Sequence, residues 1–314
     1  MIHLAGRGWV QAVWGLLALS LAAGPLLAGG CAKPRVYKRV SLYEVLPEER
    51  AAPGAVSPPL RVAIAGVVSP KATSRQYEEF VAYIGRKLNR PVEMLQRSTY
   101  AEVNDLFRSG LAELGLICTY AYVKANKEFG LELLAVPQVD GRATYRSIII
   151  VPRESAARGL EDLEGKVFAF TDPMSFSGHV APVYMLAEMG KGVNSFFGRY
   201  VFTYSHDTSI KAVAEGLVDG AAVGSLVYDY LRENEPEVAE KTRMVASSAP
   251  VGNPPVVVPW GLDPVLKARL REILLQMDQD PAGREVLRKI RIDRFLLPDD
   301  GAYDPVRAMA RRVG

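Results

Sequence analysis

The sequence predicts an α/β protein of two lobes, each built on a mainly parallel sheet covered by helices. Three observations carry that prediction. From Leu60 onward, short apolar or β-branched runs alternate with stretches whose apolar residues recur at helical spacing. The chain has 314 residues, enough for two ordinary cores. One stretch, Thr171 to His179, reads as a strand end, a tight loop and a helix start, and sheets of this kind bind ligands at such carboxyl ends.

The first thirty residues stand apart from that pattern. Arg7 precedes an apolar run from Trp9 to Leu27, broken by Gln11, Ser20 and Pro25, and small residues then lead to Cys31. A basic start, an apolar core and a small-residue exit make a secretory signal. Ala28-Gly29-Gly30-Cys31 resembles a bacterial lipoprotein box, cleaved before a cysteine that takes the lipid; a plain signal peptide or an uncleaved anchor is the alternative. Residues 1–30 are therefore expected to be a lipoprotein signal peptide, with lipidation at Cys31. That places the protein in the cell envelope, lipid-anchored on the periplasmic or extracellular face of a membrane. No later stretch approaches the ~18 apolar residues of a membrane helix. With lipid on Cys31, the second cysteine, Cys118, has no disulfide partner, and its apolar run makes it a buried small hydrophobe. Removing Arg7 lowers the formal charge from +3 to +2, too little for a nucleic-acid partner. Residues 31–59, rich in Pro, Ala and charge, read as an extended tether.

From Leu60 to Val67 runs an apolar strand. Ser74 opens a helix with Tyr77, Phe80, Val81, Ile84 and Leu88 on one face. Val92 to Leu95 is a short strand, and Thr99 opens a second helix through Val103, Leu106 and Phe107. Leu114 to Cys118 is a buried strand, followed by a polar and aromatic loop, Thr119 to Tyr122. Strands follow at Leu131–Val136 and Ser147–Val151, and a second unit starts near Pro152. Val167 to Phe170 is the strand before the central loop. Val180, Val183, Tyr184, Ala187 and Met189 mark the helix after it. Tyr200 to Tyr204 is a strand ending in Ser205-His206-Asp207, before a helix carrying Ile210, Val213 and Leu217. Ala221 to Gly224 is a strand, and a helix follows from Val227 to Arg232. After a return through Met244–Ala246 and Pro250–Val258, Asp263-Pro264 and Asp280-Pro281 each cap a helix, with Pro at its first position.

The chemistry concentrates in Ser175-Phe176-Ser177-Gly178. A helix start presents unpaired backbone N–H groups and a partial positive charge. Ser175 and Ser177 add hydroxyls, and Gly178 would admit a ligand close to the backbone. Together they suit an oxyanion. The alternative is that Ser177 only caps the helix.

In this order the chain resembles the substrate-binding proteins of phosphonate and phosphite ABC transporters, from about Leu60 to Ala310. The resemblance rests on Asp172-Pro173-x-Ser175-x-Ser177-Gly178, Pro182, and Ser205-His206-Asp207 ahead of Ala212-Val213-Ala214-x-Gly216-x-x-Asp219. Tyr145-x-Ser147 and Phe295 with Asp300, Tyr303, Asp304 and Pro305 also fit. It implies a type II periplasmic-binding-protein fold: two α/β lobes joined by two crossing strands, with the ligand in the cleft. The lobes would be residues 60–148 with 252–314, and 149–251. The crossings would lie near Ser147–Pro152 and Ala246–Val256.

By the same resemblance Ser175 and Ser177 bind the oxyanion, Phe176 contributes its backbone N–H, and His206 meets the head group. Tyr77, Thr119 and Tyr120 would line the cleft, and Asn253 stands where amine-binding relatives carry an acid. With no acid there, the far wall is expected to be neutral or apolar, formed by Phe176, Ile117 and Tyr120. Such a cleft suits phosphite or a phosphonate with a small apolar group. The expected protein is a monomeric binding protein, without cofactor or metal, that delivers a small phosphorus oxyanion to an ABC permease. Phosphate or another small oxyanion, or a sensory module for a membrane kinase, are the other readings. A hydrolase built on Ser205, His206 and Asp207 is disfavoured, because consecutive side chains point apart and a triad needs a hydrogen-bonded chain.

Overall fold

The computed structural model describes residues 58–66 and 70–313, with the backbone alone for residues 70–76. The expected signal peptide, Cys31, most of the tether and the strand end at Val67 lie outside the described residues. The first half alternates as β1 (Leu60–Ile64), α1 (Pro70–Leu88), β2 (Val92–Gln96), α2 (Tyr100–Arg108), β3 (Leu114–Leu116), α3 (Thr119–Phe129) and β4 (Leu131–Gln138). Two short steps follow, β5 (Thr144–Tyr145) and β6 (Ser147–Pro152). Then β7 (Val167–Phe170) leads through a wide turn, Phe176–Val180, into α4 (Ala181–Glu188). The second half continues with α5 (Val193–Phe196), β8 (Arg199–Phe202), α6 (His206–Ala214), β9 (Gly220–Gly224), α7 (Ser225–Asn234), α8 (Pro236–Ala239) and β10 (Thr242–Ser247). The chain returns as β11 (Val251–Gly252), β12 (Val256–Pro259), α9 (Pro264–Leu275), α10 (Pro281–Lys289), β13 (Arg294–Leu296) and α11 (Asp304–Val313).

Two sheets result. The first is ordered β13-β4-β12-β3-β1-β2, with β1 parallel to β2 and β3, and β12 running against β3 and β4. The second is ordered β10-β6-β9-β7-β8, with β7 parallel to its neighbours and β6 opposing β9 and β10. Between them β5 and β11 pair antiparallel, Tyr145 opposite Val251. The predicted alternation is thus present, and Asp263 and Asp280 cap α9 and α10 as their sequence suggested.

Two readings change. Ser147–Pro152 is not a crossing. Its run Ile148 to Val151 is buried on both faces, so it forms a strand inside the second sheet, and the ribbon starts at Thr144. Thr119–Tyr122 is not a loop either. It is the first turn of α3, whose Ala121, Tyr122 and Ala125 are buried at helical spacing.

The lobes meet in a shared apolar seam of Ile117, Tyr145, Phe176, Ala181 and Tyr303. Full burial of each large side chain there contributes about 1.5–3 kcal/mol. Two polar links cross between the lobes. Asp172 Oδ2, in the loop after β7, accepts from the Tyr100 backbone N–H at the start of α2 at 3.0 Å. Arg291 pairs with Glu233 of α7 at 2.7 Å. The C-terminal α11 packs on both α3 and α4, bracing the seam from outside.

Candidate ligand-binding site

A cavity of about 130 Å³ lies between the lobes, at the carboxyl ends of β1, β3, β4 and β9. Its lining includes Tyr77, Ile117, Cys118, Tyr145, Ser177, His206 and Gly224. One corner is polar. The position a Gly224 Cβ would take is 3.1 Å from Ser177 Oγ, 3.7 Å from Tyr145 Cε2 and 3.8 Å from His206 Cε1, so these groups share a single small volume. Any larger residue at position 224 would intrude into it.

The backbone fixes the chemistry of this corner. His206 starts α6, directly after Ser205, and its Nδ1 accepts from the Gly224 N–H at 3.1 Å, with Thr171 Oγ1 at 3.2 Å. An N–H can only donate, so Nδ1 carries no proton and the neutral ring keeps its proton on Nε2. Burial lowers the His206 pKa to about 4, outweighing nearby Asp207. The ring is therefore a neutral donor at pH 7, not a cation. Ser177 is buried, and its carbonyl accepts from Ser147 Oγ at 2.6 Å, which holds the loop against β6. Tyr145 Oη is buried without a hydrogen bond of ordinary geometry, with the Thr119 and Ser177 side chains beside it. Burial pushes its pKa up, so it remains a phenol. Tyr77 is likewise pushed up to about 12 by burial, with Tyr230 beside it. Ser177 Oγ, His206 Nε2–H and the two phenols are thus neutral donors for an anion's oxygens. Among the described residues no cluster suits a metal ion.

Of the residues expected from sequence, the cavity gathers Ser177, His206 and Tyr77. Ser175 lies behind the wall: its Oγ accepts from the Gly178 N–H at 2.9 Å and caps the turn. The capping role open for Ser177 therefore belongs to Ser175. Gly178 faces Thr171, whose Oγ1 would lie 2.2 Å from an added Cβ, so its missing side chain serves packing rather than ligand approach. Phe176 is buried against Tyr145, with ring centroids 5.9 Å apart. Thr119 Oγ1 donates to the Gly252 carbonyl at 3.1 Å, and Tyr120 packs on the seam. Asn253 pins the ribbon, donating to the Pro137 carbonyl at 2.9 Å and to that of Arg142 at 3.1 Å.

The expected acid-free far wall also changes. Asp140 and Asp229 both line the cavity, brought there from β4 and α7, far in sequence from Asn253. Ile117 is a wall as expected, whereas Phe176 and Tyr120 are not. Tyr145 is the residue that sequence reasoning undervalued. An aromatic at a strand end looks like core, and only its buried hydroxyl distinguishes it. The Ser205-His206-Asp207 run forms no relay, since Ser205 Oγ bonds Asp207 while His206 Nδ1 faces Gly224 and Thr171.

A model of the family described as phosphonate ABC transporter periplasmic substrate-binding protein matches residues 62–303. The chain belongs to that family. Among the relatives of this chain is a probable ABC transporter phosphite-binding protein, PhnD1, of Prochlorococcus marinus. It is 22% identical over 196 residues, covering 57% of this chain and 65% of the relative. The phosphate-import protein PhnD of Mycolicibacterium smegmatis is 28% identical over 194 residues, covering 56% and 60%. The chain thus matches less than two thirds of these relatives' length. The solved structure of PhnD1 with methylphosphonate aligns at TM-score 0.74 and 19% identity, covering 81% of this chain and 97% of that one. A binding protein component of an ABC phosphonate transporter from Pseudomonas aeruginosa aligns at TM-score 0.76 and 22% identity, covering 81% and 85%. The two sheets and their connecting ribbon are those of a type II periplasmic binding protein.

Proposed function

We propose that this family member is an extracytoplasmic substrate-binding lipoprotein, anchored through Cys31. It captures a small phosphorus oxyanion, phosphite or an alkylphosphonate, between its lobes for an ABC importer. It acts as a monomer of two lobes, with the expected boundaries at 148/149 and 251/252 shifted to the β5–β11 ribbon, because β6 pairs wholly within the second sheet. The observation that carries the reading is the corner of Ser177, His206 Nε2–H and Tyr145 Oη: neutral donors converging beside apolar walls. The donors satisfy the oxygens, and the P–H or P–C face of the ligand meets hydrocarbon. Closure excludes water, and in that low-dielectric setting each bond is stronger. Phosphate is the second reading, favoured by the named role of the M. smegmatis relative. Its fourth oxygen would need a donor outside that corner, such as the Tyr77 hydroxyl. Thermal shift with equal concentrations of phosphite, methylphosphonate and phosphate separates the two. A ligand at a hundred times its dissociation constant should stabilise the fold by about 2.7 kcal/mol. Methylphosphonate or phosphite should give the larger shift; a larger shift from phosphate would reverse the choice.

A further inference from the structure

The polar corner occupies only part of the cavity. A cavity of about 130 Å³ is well above the 10–15 Å³ that admits a single water, so it has room beyond the head group. Methylphosphonate adds only one carbon to that group. The other walls are mostly apolar, with Ile64, Leu116, Val139, Leu226, Val227 and Ile292 set among the rings of Tyr77 and Tyr230. Charge returns only where Asp140, Asp229 and Arg291 line the cavity, and these acids already face cations. Arg291 lies 3.4 Å from Asp140 and 2.7 Å from Glu233, and Arg232 lies 3.8 Å from Asp229. An ammonium on the ligand would compete with these guanidinium groups and would be carried past hydrocarbon to reach them.

Resting on the oxyanion reading above, we propose that the ligand is a phosphonate with an uncharged apolar substituent longer than methyl. The substituent runs from the polar corner along the walls of Leu116, Val139, Leu226 and Ile292. The phosphonate group engages Ser177 and His206, while Leu226 and Val227, on α7, select the chain. Closure of the lobes then buries the substituent between the two sheets. Each added methylene that enters such a channel should tighten binding about three- to fourfold.

The test is calorimetric titration of the full chain with phosphite and with methyl-, propyl-, butyl- and 3-aminopropylphosphonate. Affinity should climb from methyl to butyl by at least tenfold, and the amine should bind more weakly than butyl, its near-isostere. In Leu226→Trp the gain from chain length should vanish while methylphosphonate affinity changes less than about threefold. Should that variant fail to fold, the wild-type series alone decides. Phosphite and methylphosphonate binding with no gain from the longer chains would overturn this inference and leave the oxyanion reading standing. Tighter binding of the amine than of butylphosphonate would also overturn it. Binding of none of the five would remove both.

Discussion

Replacing His206 with alanine should weaken oxyanion binding ten- to a hundredfold and make the ligand-free protein less stable. The Nε2–H donates to a charged oxygen, a bond that contributes about 1.5–3 kcal/mol. The same ring accepts the buried Gly224 N–H at 3.1 Å, so its removal orphans a donor at a further cost of about 1–3 kcal/mol. The ring also sets a pH dependence. Its folded pKa, about 4, lies below the usual 6.5 because burial disfavours the imidazolium. Above pH 6.5 both folded and unfolded forms are neutral, and the contribution is fully present. As pH falls from 6.5 toward 4 only the unfolded chain takes up the proton, so stability is lost across that window, up to about 3 kcal/mol. Denaturant unfolding of wild type and His206→Gln at pH 7 and pH 4.5 isolates this contribution. An equal loss in both proteins would show that His206 is not the group titrating.

Asp172→Ala should cost about 2–4 kcal/mol and let the lobes part. The carboxylate is buried and accepts two backbone N–H groups, Tyr100 across the seam at 3.0 Å and Met174 in its own loop at 2.7 Å. It also sits at the amino end of α2, where the helix dipole favours negative charge. Burial outweighs these contacts and raises its pKa. The residue therefore serves closure rather than anion capture, since a carboxylate facing the ligand would repel it. Asp172→Asn, which keeps an acceptor oxygen, should lose about half as much. Denaturation measures the first effect. A larger radius of gyration by small-angle scattering for Asp172→Ala measures the second, and an unchanged radius would remove the clasp.

Part of the candidate site was legible because local chemistry fixed it. Ser177 and His206 each stand at a helix start after a strand, and that arrangement can be read along the chain. Ser175 was not separable from Ser177, because which serine caps depends on a wide turn that begins one residue earlier than a regular helix would. Thr119 looked like loop because its helix has no side-chain cap, only Cys118 before it. Asp140 and Asp229 reach the cavity from different lobes, so no spacing between them could reveal it. The Asp172 link and the Arg291–Glu233 pair exist only once the lobes meet. The alternation of elements, by contrast, followed from hydrophobic periodicity, apart from the short edge strand Arg294–Leu296, which pairs with β4 from a C-terminal region whose pattern is otherwise helical.

The division of labour between Ser175 and Ser177 tests the central claim most directly. Titration calorimetry of methylphosphonate into Ser177→Ala and Ser175→Ala, with their unfolding free energies, gives both quantities. Ser177→Ala should lose affinity about ten- to a hundredfold with little change in stability. Ser175→Ala should lose about 1 kcal/mol of stability and keep its affinity. Full affinity in Ser177→Ala, or loss of binding only in Ser175→Ala, would contradict an oxyanion held at the Ser177, His206 and Tyr145 corner.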